Sequence, residues 1–150
     1  MGVAGNQRKM PTPAEIKKAL LQAGFEVYRT RGDAVHVAER VRENLLMDSG
    51  IVVGAEPLRV GFVVRAQRND FPGAADEQLF ERARALAEPA VARGYTEGEA
   101  ALRDVRDPGD GERTLDTWCE VQFEKPVASL ELAVSEVGFA LSLEKTALPR

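Results

Sequence analysis

The chain has 150 residues, of which 44% are hydrophobic and 29% charged, and its formal net charge is −4. This length and composition are ordinary for one globular domain with its own core. The sequence contains no run of about 18 apolar residues, which argues against a membrane-spanning helix, and its single cysteine excludes an internal disulfide framework.

The N-terminal segment is small and polar. Residues 1–11, MGVAGNQRKMP, are predicted to form a flexible tail, and they lack the apolar stretch of a secretory signal. We therefore expect a soluble cytoplasmic protein. The abundance of Ala, Arg, Glu, Val and Gly is typical of proteins from GC-rich bacteria.

Charge is distributed unevenly along the chain. Residues 1–68 carry a net charge of +4, whereas residues 69–150 carry −8. Such asymmetry indicates either a basic binding face on an acidic body or two solvated surfaces that attract each other. The second interpretation is the expected one, because it requires no ligand.

A helix begins after Thr12. Thr12 and Glu15 match a capping box, with Pro13 at the first helical position. Gly24 suits the left-handed residue that ends a helix. Apolar residues recur at helical spacing between these ends, and we predict a helix over residues 13–23: Ile16, Ala19, Leu20 and Ala23.

The next segment contains the most ambiguous stretch of the chain. Residues 25–30 alternate and predict a strand, and Gly32 favours a turn. Residues 34–48 permit two interpretations. The alternative interpretation is a strand over residues 34–40, paired with residues 25–30 across a hairpin turn. The preferred interpretation is a helix, because four apolar residues share one helical face: Ala34, Val37, Val41 and Leu45.

The strongest strand pattern of the chain is LRVGFVVRA, residues 58–66. Strict alternation predicts a strand that is covered on one side. Phe62 is the predicted centre of the core, and a short strand is predicted at residues 51–53. The inward set is Leu58, Val60, Phe62, Val64 and Ala66, and the outward set is Arg59, Gly61, Val63 and Arg65.

Residues 74–93 are apolar at helical spacing, with Pro89 inside the pattern. Proline removes one backbone hydrogen bond, so the helix is predicted to kink or split near residues 85–88. Residues 95–107 and 114–124 then predict a hairpin around a loop rich in glycine and aspartate.

The last predicted helix, residues 126–144, carries two apolar stripes on nearly opposite faces. A single sheet covers only one stripe, so we expect the other to be sandwiched within the chain or buried between two copies. The first stripe is Val127, Leu130, Val134, Val137 and Leu141. The second stripe, and the predicted oligomer interface, is Leu132, Phe139 and Leu143.

The predicted element order is α-β-α-β-β-α-β-β-α. It corresponds to a single α+β domain over residues 12–146, with helices packed on an antiparallel-rich sheet and a C-terminal tail over residues 147–150. With a strand at residues 34–40, the order approaches α-βββ-α-ββ-α. That order resembles the small secretion-chaperone and YbjN-like fold. The resemblance implies an acidic bacterial domain that binds proteins and often dimerises.

No group of residues forms a convincing catalytic or metal site. Cys119 and His36 could act as nucleophile and base, but alternation places Cys119 on the apolar face of its strand, where a thiol is usually inert. One histidine and one cysteine exclude the usual zinc sets, and the acidic loop residues Asp107, Asp110 and Glu112 lack EF-hand spacing. We expect no catalytic residue, metal or cofactor.

Three residues are the candidate binding residues: Arg59, Arg65 and Trp118. The two arginines flank Gly61 on the outward face of the central strand, where a glycine would leave room for an acidic group. Trp118 alternates outward on its own strand, and an exposed tryptophan often anchors an interface. The equally favoured alternative is that a helix covers Trp118.

The sequence thus favours a non-enzymatic, protein-binding or chaperone-like domain that forms a homodimer. A small-molecule-binding or enzymatic domain with a pocket between sheet and helices is the alternative. Nucleic-acid binding comes third, because acidic residues interrupt the arginine-rich N-terminal half and the net charge is negative.

Overall fold

The computed structural model describes residues 10–149; Arg150 and residues 1–9, most of the predicted flexible tail, lie outside the described residues. The four α-helices are α1 (Pro13–Gln22), α2 (Asp76–Leu86), α3 (Glu88–Ala92) and α4 (Leu130–Ser142). The six strands are β1 (Glu26–Arg31), β2 (Ala34–Arg42), β3 (Leu45–Ala55), β4 (Leu58–Gln67), β5 (Thr96–Asp107) and β6 (Asp110–Pro126). A short 3-10 turn, Arg68–Asp70, follows β4.

The strands form one antiparallel sheet in the order β1-β2-β3-β4-β6-β5. The predicted α+β class with an antiparallel sheet is therefore confirmed. Within residues 10–149, every helix is too short or too polar to cross a membrane. Packing divides the chain into two compact units, residues 10–60 with 126–138 and residues 61–125 with 139–149, and a single domain over residues 12–146 stays a prediction.

The predicted helix over residues 34–48 is wrong, because this stretch forms β2 and the first part of β3. The observed order is α-ββββ-αα-ββ-α, so the predicted alternative with three consecutive strands is also one strand short. The apolar residues of this stretch match both the spacing of a helix and the two-residue spacing of a strand, and pairing with residues distant in sequence decides between the two. β2 hydrogen-bonds to β1 on one side and to β3 on the other, which buries Val35 and Val37 at a spacing of two. Val41, which the helical interpretation placed inside, is 53% exposed.

In the first unit, α1 packs on strands β1 to β3. The predicted capping box is confirmed, since Thr12 Oγ1 accepts from the Glu15 N–H at 3.2 Å and Glu15 Oε1 accepts from the Thr12 N–H at 3.0 Å. Gly24 adopts a φ of 92°, the left-handed conformation expected after the helix. The core of this unit contains Ile16, Leu20, Val35, Val37, Ile51 and Val53.

In the second unit, aromatic rings form the centre of the core. The ring of Phe62 lies 5.3 Å from that of Tyr95 and 6.0 Å from that of Phe123, and Tyr95 lies 6.0 Å from Phe139. β4 alternates between buried and half-buried residues along its whole length, as the sequence predicts. On β6, Cys119, Val121 and Phe123 are buried at a spacing of two, whereas Leu115, which the same alternation places on the inward face, is 42% exposed.

The predicted break at Pro89 is confirmed, because α2 ends at Leu86 and α3 begins at Glu88. Proline is tolerated in the first turn of α3, where its missing N–H would have no helical acceptor. Small residues are buried in both helices and at the residue between them, which allows a close approach to their neighbours: Ala83, Ala87 and Ala90.

The C-terminal helix is shorter than predicted, because residues 126–129 are not helical and Pro126 ends β6. Four of its residues are buried: Ala133, Glu136, Val137 and Ala140. Of these, only Val137 belongs to a predicted stripe, the first, so the buried face is shifted from that stripe toward the second. Lys145 Nζ donates to the carbonyl groups of Ala140 and Leu143 and thereby caps the last turn.

The segment after α4 attaches to β4. The Arg65 N–H donates to the Lys145 carbonyl and the Ala147 N–H donates to the Arg65 carbonyl, both at 2.9 Å. Ala147, the first residue of the predicted C-terminal tail, is 6% exposed. The main chain at Arg65 is therefore held on that side by the C-terminal segment.

Truncation of the core aromatic ring tests the central position of β4. We expect Phe62→Ala to lower the free energy of unfolding by about 3–5 kcal/mol, since it removes the ring that contacts Tyr95 and Phe123. Urea denaturation measures this loss. Val63→Ala, on the half-buried face of the same strand, is the matched control and should cost about 1 kcal/mol or less. Equal losses for both variants would contradict the assignment of the two faces.

Candidate functional site

The outward face of β4, β6 and β5 gathers four side chains that we call the outer-face cluster: Arg65, Arg103, Trp118 and Glu120. Arg65 alternates outward on β4, and pairing of β5 with β6 places Arg103 opposite Trp118 and Ala101 opposite Glu120. Residues that are directly opposite share a face of the sheet. The outward residues of β4 are all partly accessible, so this face is not sealed by a second layer.

Glu120 links the two arginines of the cluster. Its Oε2 lies 2.9 Å from Nη2 of Arg65, and its Oε1 lies 2.5 Å from Nε of Arg103. The Glu120 side chain is only 12% exposed, whereas that of Arg103 is 64% exposed. A carboxylate at this depth needs compensating charge, and the two guanidinium groups supply it.

Trp118 is held on its face and at its edge. The Arg65 guanidinium lies 4.6 Å from the centroid of the indole ring, a cation–π contact worth about 0.5–2 kcal/mol. The indole Nε1–H donates to Asp116 Oδ2 at 3.1 Å, and Asp116 Oδ1 accepts from the Asn69 N–H at 3.0 Å. The 3-10 turn after β4 is thereby attached to β6, and both arginine and indole are fixed in orientation.

Arg59, the other predicted binding arginine, belongs to the first unit. Its Nη1 donates to Asp33 Oδ2 and to the Pro57 carbonyl, each at 3.0 Å. The guanidinium occupies the space above Gly54, where an added Cβ would lie 2.3 Å from its Cζ. Its charge is therefore compensated within the hairpin turns that join β1 to β2 and β3 to β4.

Gly61 does not open a space for an acidic ligand. An added Cβ there would lie 3.2 Å from the Phe123 carbonyl oxygen, so the glycine permits the close approach of β6. Arg65 is likewise paired with a carboxylate, and its buried Nε has no hydrogen-bond partner among the described residues and is closed to solvent. The outer-face cluster therefore presents an aromatic and guanidinium surface in which one carboxylate, that of Glu120, is shared by two arginines.

Cys119 is buried in the core, and His36 is paired with an aspartate. Cys119 is fully buried, and burial raises the pKa of its thiol, which keeps the thiolate form scarce. His36 Nδ1 lies 3.1 Å from Asp48 Oδ2 on the outward face of β2 and β3. Neither side chain presents a nucleophile or a base to solvent in an arrangement that supports nucleophilic catalysis.

The acidic loop between β5 and β6 uses its carboxylates for turn hydrogen bonds. Asp107 Oδ1 accepts from the Gly109 N–H at 2.8 Å, and Asp110 Oδ1 accepts from the Glu112 N–H at 3.1 Å. Across the part of the chain that the structure describes, no group of three or more His, Cys, Asp or Glu side chains could hold a metal ion.

Two further arginines of the basic half are ion-paired. Arg40 forms a bidentate pair with Glu26 at 2.8 and 2.6 Å, and Arg68 pairs with Asp76. These carboxylates compete with the phosphates that a nucleic-acid backbone would bring to the same guanidinium groups.

Surface depressions near these residues are small or shallow. The depression beside the outer-face cluster has a volume of about 40 Å³ and is lined by Val63, Glu99, Ala101, Arg103, Glu120 and Gln122. Ligand pockets usually measure about 300–1,000 Å³. A second depression, of about 400 Å³, is lined only by α2 and the residue Ala74 before it, so it is a furrow along one helix.

The residues of the predicted oligomer interface differ in their surroundings. Leu132 is 50% exposed, and Leu143 is half-buried. Phe139 is half-buried, with its ring 6.0 Å from Tyr95 and the Arg93 guanidinium 4.5 Å above it. Part of the Phe139 ring thus serves the core of the second unit, and an oligomer interface at these residues stays a prediction.

Sequence reasoning named two members of the cluster and missed the other two. Alternation on β6 already placed Glu120 beside Trp118 on the outward face, so that signal was available. Arg103 becomes a member only through the register of β5 with β6, which has bulges at both ends. A local pattern does not contain this register.

No family model matches the chain, and neither a curated protein nor a solved structure is similar to it.

The buried thiol gives a test of this part of the structure. We expect Cys119 in the folded protein to react with a disulfide reagent such as DTNB at pH 8 at least about 100-fold more slowly than in urea, because reaction requires opening of the core. Absorbance of the released thiol measures the rate, and Cys119→Ala provides the blank. Equally fast reaction in the folded and unfolded protein would place the thiol at the surface.

The pair of Asp33 and Arg59 predicts a pH dependence of stability. The hydrogen bond from Arg59 lowers the pKa of Asp33, and the Glu56 N–H acts in the same direction. The pair therefore stabilises the fold above the unfolded-state pKa of about 4 and loses this contribution as the pH falls through the lower folded-state pKa. Because the Asp33 side chain is 35% exposed, we expect Asp33→Asn to cost about 1 kcal/mol or less at pH 7.

Urea denaturation from pH 7 to pH 2 measures the difference between Asp33→Asn and the unmodified protein. The difference should shrink as the pH falls, and Arg59→Ala should reduce its pH dependence. A difference that grows toward low pH would contradict the assigned direction of the pKa shift.

Proposed function

We propose that this protein is a non-enzymatic protein-binding domain that contacts its partner through the outer-face cluster. The observation that carries the proposal is the Arg65 guanidinium held 4.6 Å above the Trp118 ring on an accessible sheet face. A cytoplasmic location and a bacterial source are part of the proposal, as the sequence suggests.

Tryptophan and arginine are the side chains that most often dominate binding energy at protein interfaces. Here both are fixed before binding, Trp118 by Asp116 and Arg65 by Glu120 and by its main-chain bonds to the C-terminal segment. Fixed side chains lose less conformational entropy on association. The cluster is thus well suited to add contacts without reorganisation.

The charge of the cluster favours a protein partner with a mixed surface. Two guanidinium groups share Glu120, and Glu99 lines the adjacent depression. A nucleic-acid site would need an excess of uncompensated positive charge. A small-molecule site would need a larger enclosed volume than about 40 Å³.

Replacement of the indole tests the proposal. Trp118→Thr keeps a residue suited to a strand and removes the aromatic surface. We expect a partner captured from a host-cell lysate, and then purified, to bind this variant at least about tenfold more weakly in calorimetry, as for a central interface tryptophan. Circular dichroism and thermal unfolding confirm that the variant is folded.

Leu132→Gln is the control variant, because Leu132 is an apolar residue that is 50% exposed and lies on α4 rather than on the sheet. We expect this variant to bind as the unmodified protein does. Loss of binding in Leu132→Gln with retention in Trp118→Thr would move the contact surface to α4. A thermal-shift screen in which a metabolite stabilises the protein by several degrees, and Trp118→Thr abolishes the shift, would instead indicate a small-molecule site.

A further inference from the structure

The outer edge of β5 is a surface that the proposed function does not use and that could pair with another strand. β5 lies at the end of the sheet order, and within residues 10–149 no strand lies on its outer side. Nine of its 12 residues are exposed. An edge strand presents a row of N–H and C=O groups that pair readily with another strand.

Bulges limit where a strand can be added. The pairing of β5 with β6 shifts between Glu97 and Ala100 and again between Val105 and Asp107, and it is regular from Ala100 to Val105. Bulges bend a strand and interrupt the ladder. The segment available for pairing is therefore residues 100–105.

The register of β5 with β6 assigns the faces of this segment. Ala100, Leu102 and Asp104 lie opposite residues on the helix side of the sheet, where Val121 and Cys119 are buried. Ala101, Arg103 and Val105 lie on the outward side. Leu102, near the middle of the run, is 49% exposed.

We propose that this edge pairs antiparallel with the same edge of a second copy of the chain. The two-fold axis passes between the two copies of Leu102, which lie directly opposite each other. Paired residues must lie on the same face of the extended sheet, so the residue at the centre of the pairing must lie opposite its own copy. We describe such an arrangement as an axis through that residue. Four positions within or next to the regular run are available for the axis: Ala101, Leu102, Arg103 and Asp104.

Charge decides among these positions. An axis through Arg103 places arginine opposite arginine, and one through Asp104 places aspartate opposite aspartate, which is destabilising. An axis through Ala101 requires Glu99, which lies in the bulge, to pair as a regular residue.

With the axis at Leu102, the remaining pairs are compatible. Arg103 lies opposite the partner's Ala101 and diagonal to both the partner's Glu99 and the partner's Arg103, and each Arg103 is paired with Glu120 of its own chain. Asp104 lies opposite the partner's Ala100. The exposed Leu102 side chains of the two copies then cover each other. This arrangement uses only residues of the regular run for direct pairs.

About five residue pairs make a small interface, so we expect a dissociation constant in the micromolar range. The inference goes beyond the proposed function and does not depend on it, because the outer-face cluster stays on the accessible face of the extended sheet.

Disulfide cross-linking tests both the interface and its axis. In a Cys119→Ala background at about 100 µM protein, Leu102→Cys should form a disulfide-linked dimer under mild oxidation, because opposed residues in antiparallel strands have Cα atoms about 4.5–5.5 Å apart. Ala100→Cys is the matched control on the same face. In the proposed register its two copies are separated by about four residue steps, roughly 13 Å, which is too far for a disulfide. Non-reducing electrophoresis shows the products.

Dimer formation by Leu102→Cys and not by Ala100→Cys supports the proposal. Equal cross-linking of both variants, cross-linking of Ala101→Cys in preference to Leu102→Cys, or no cross-linking of any variant would overturn it.

Sedimentation analysis of the untagged protein from about 5 to 500 µM gives an independent readout. Leu102→Lys places two like charges at the axis and should weaken association at least tenfold, whereas Leu132→Lys on α4 should leave it unchanged. A strict monomer over this range, or association lost through Leu132→Lys instead, would overturn the proposal.

Discussion

The strict two-residue alternation of β4 is the constraint on which the rest of the structure depends. Its inward residues are fully buried, and Phe62 among them joins Tyr95 and Phe123 in the aromatic centre of the second unit. Because a shift of one residue would exchange the two faces, the buried set also fixes which residues point outward. The position of Arg65 on the accessible face is thus a direct consequence of the burial of Phe62 and its neighbours.

Arginine on a sheet face needs compensation, and Glu120 supplies it for two strands at once. Its carboxylate binds Arg65 of β4 and Arg103 of β5, with the indole of Trp118 beneath Arg65. One carboxylate thus offsets part of the charge of two arginines. Arg59, Arg40 and Arg68 are also ion-paired. The pairs Arg65–Glu120 and Arg68–Asp76 join the basic N-terminal half of the sequence to the acidic C-terminal half.

The predictable parts of the fold are those that local chemistry controls. The capping box at Thr12, the left-handed Gly24, the break at Pro89 and the turn-rich loop between β5 and β6 depend on residues within one or two turns of each other. Two of the four residues of the outer-face cluster, Arg65 and Trp118, were predictable for the same reason. Alternation alone placed Arg65 and Trp118 outward, whereas their contact and the membership of Arg103 depend on which strands lie side by side.

By itself, the sequence determined the α+β class, the two faces of β4, the capping box that begins α1 and the break between α2 and α3. Only the tertiary structure decided that residues 34–48 form strands, because their apolar residues satisfy both helical and strand spacing and pairing with β1 selects the strand. It also decided which face of α4 is buried, since Val137 is the only residue of the two predicted stripes that joins Ala133, Glu136 and Ala140 on that face. In both cases the deciding interaction joins residues far apart in the chain, and a local pattern carries no record of it.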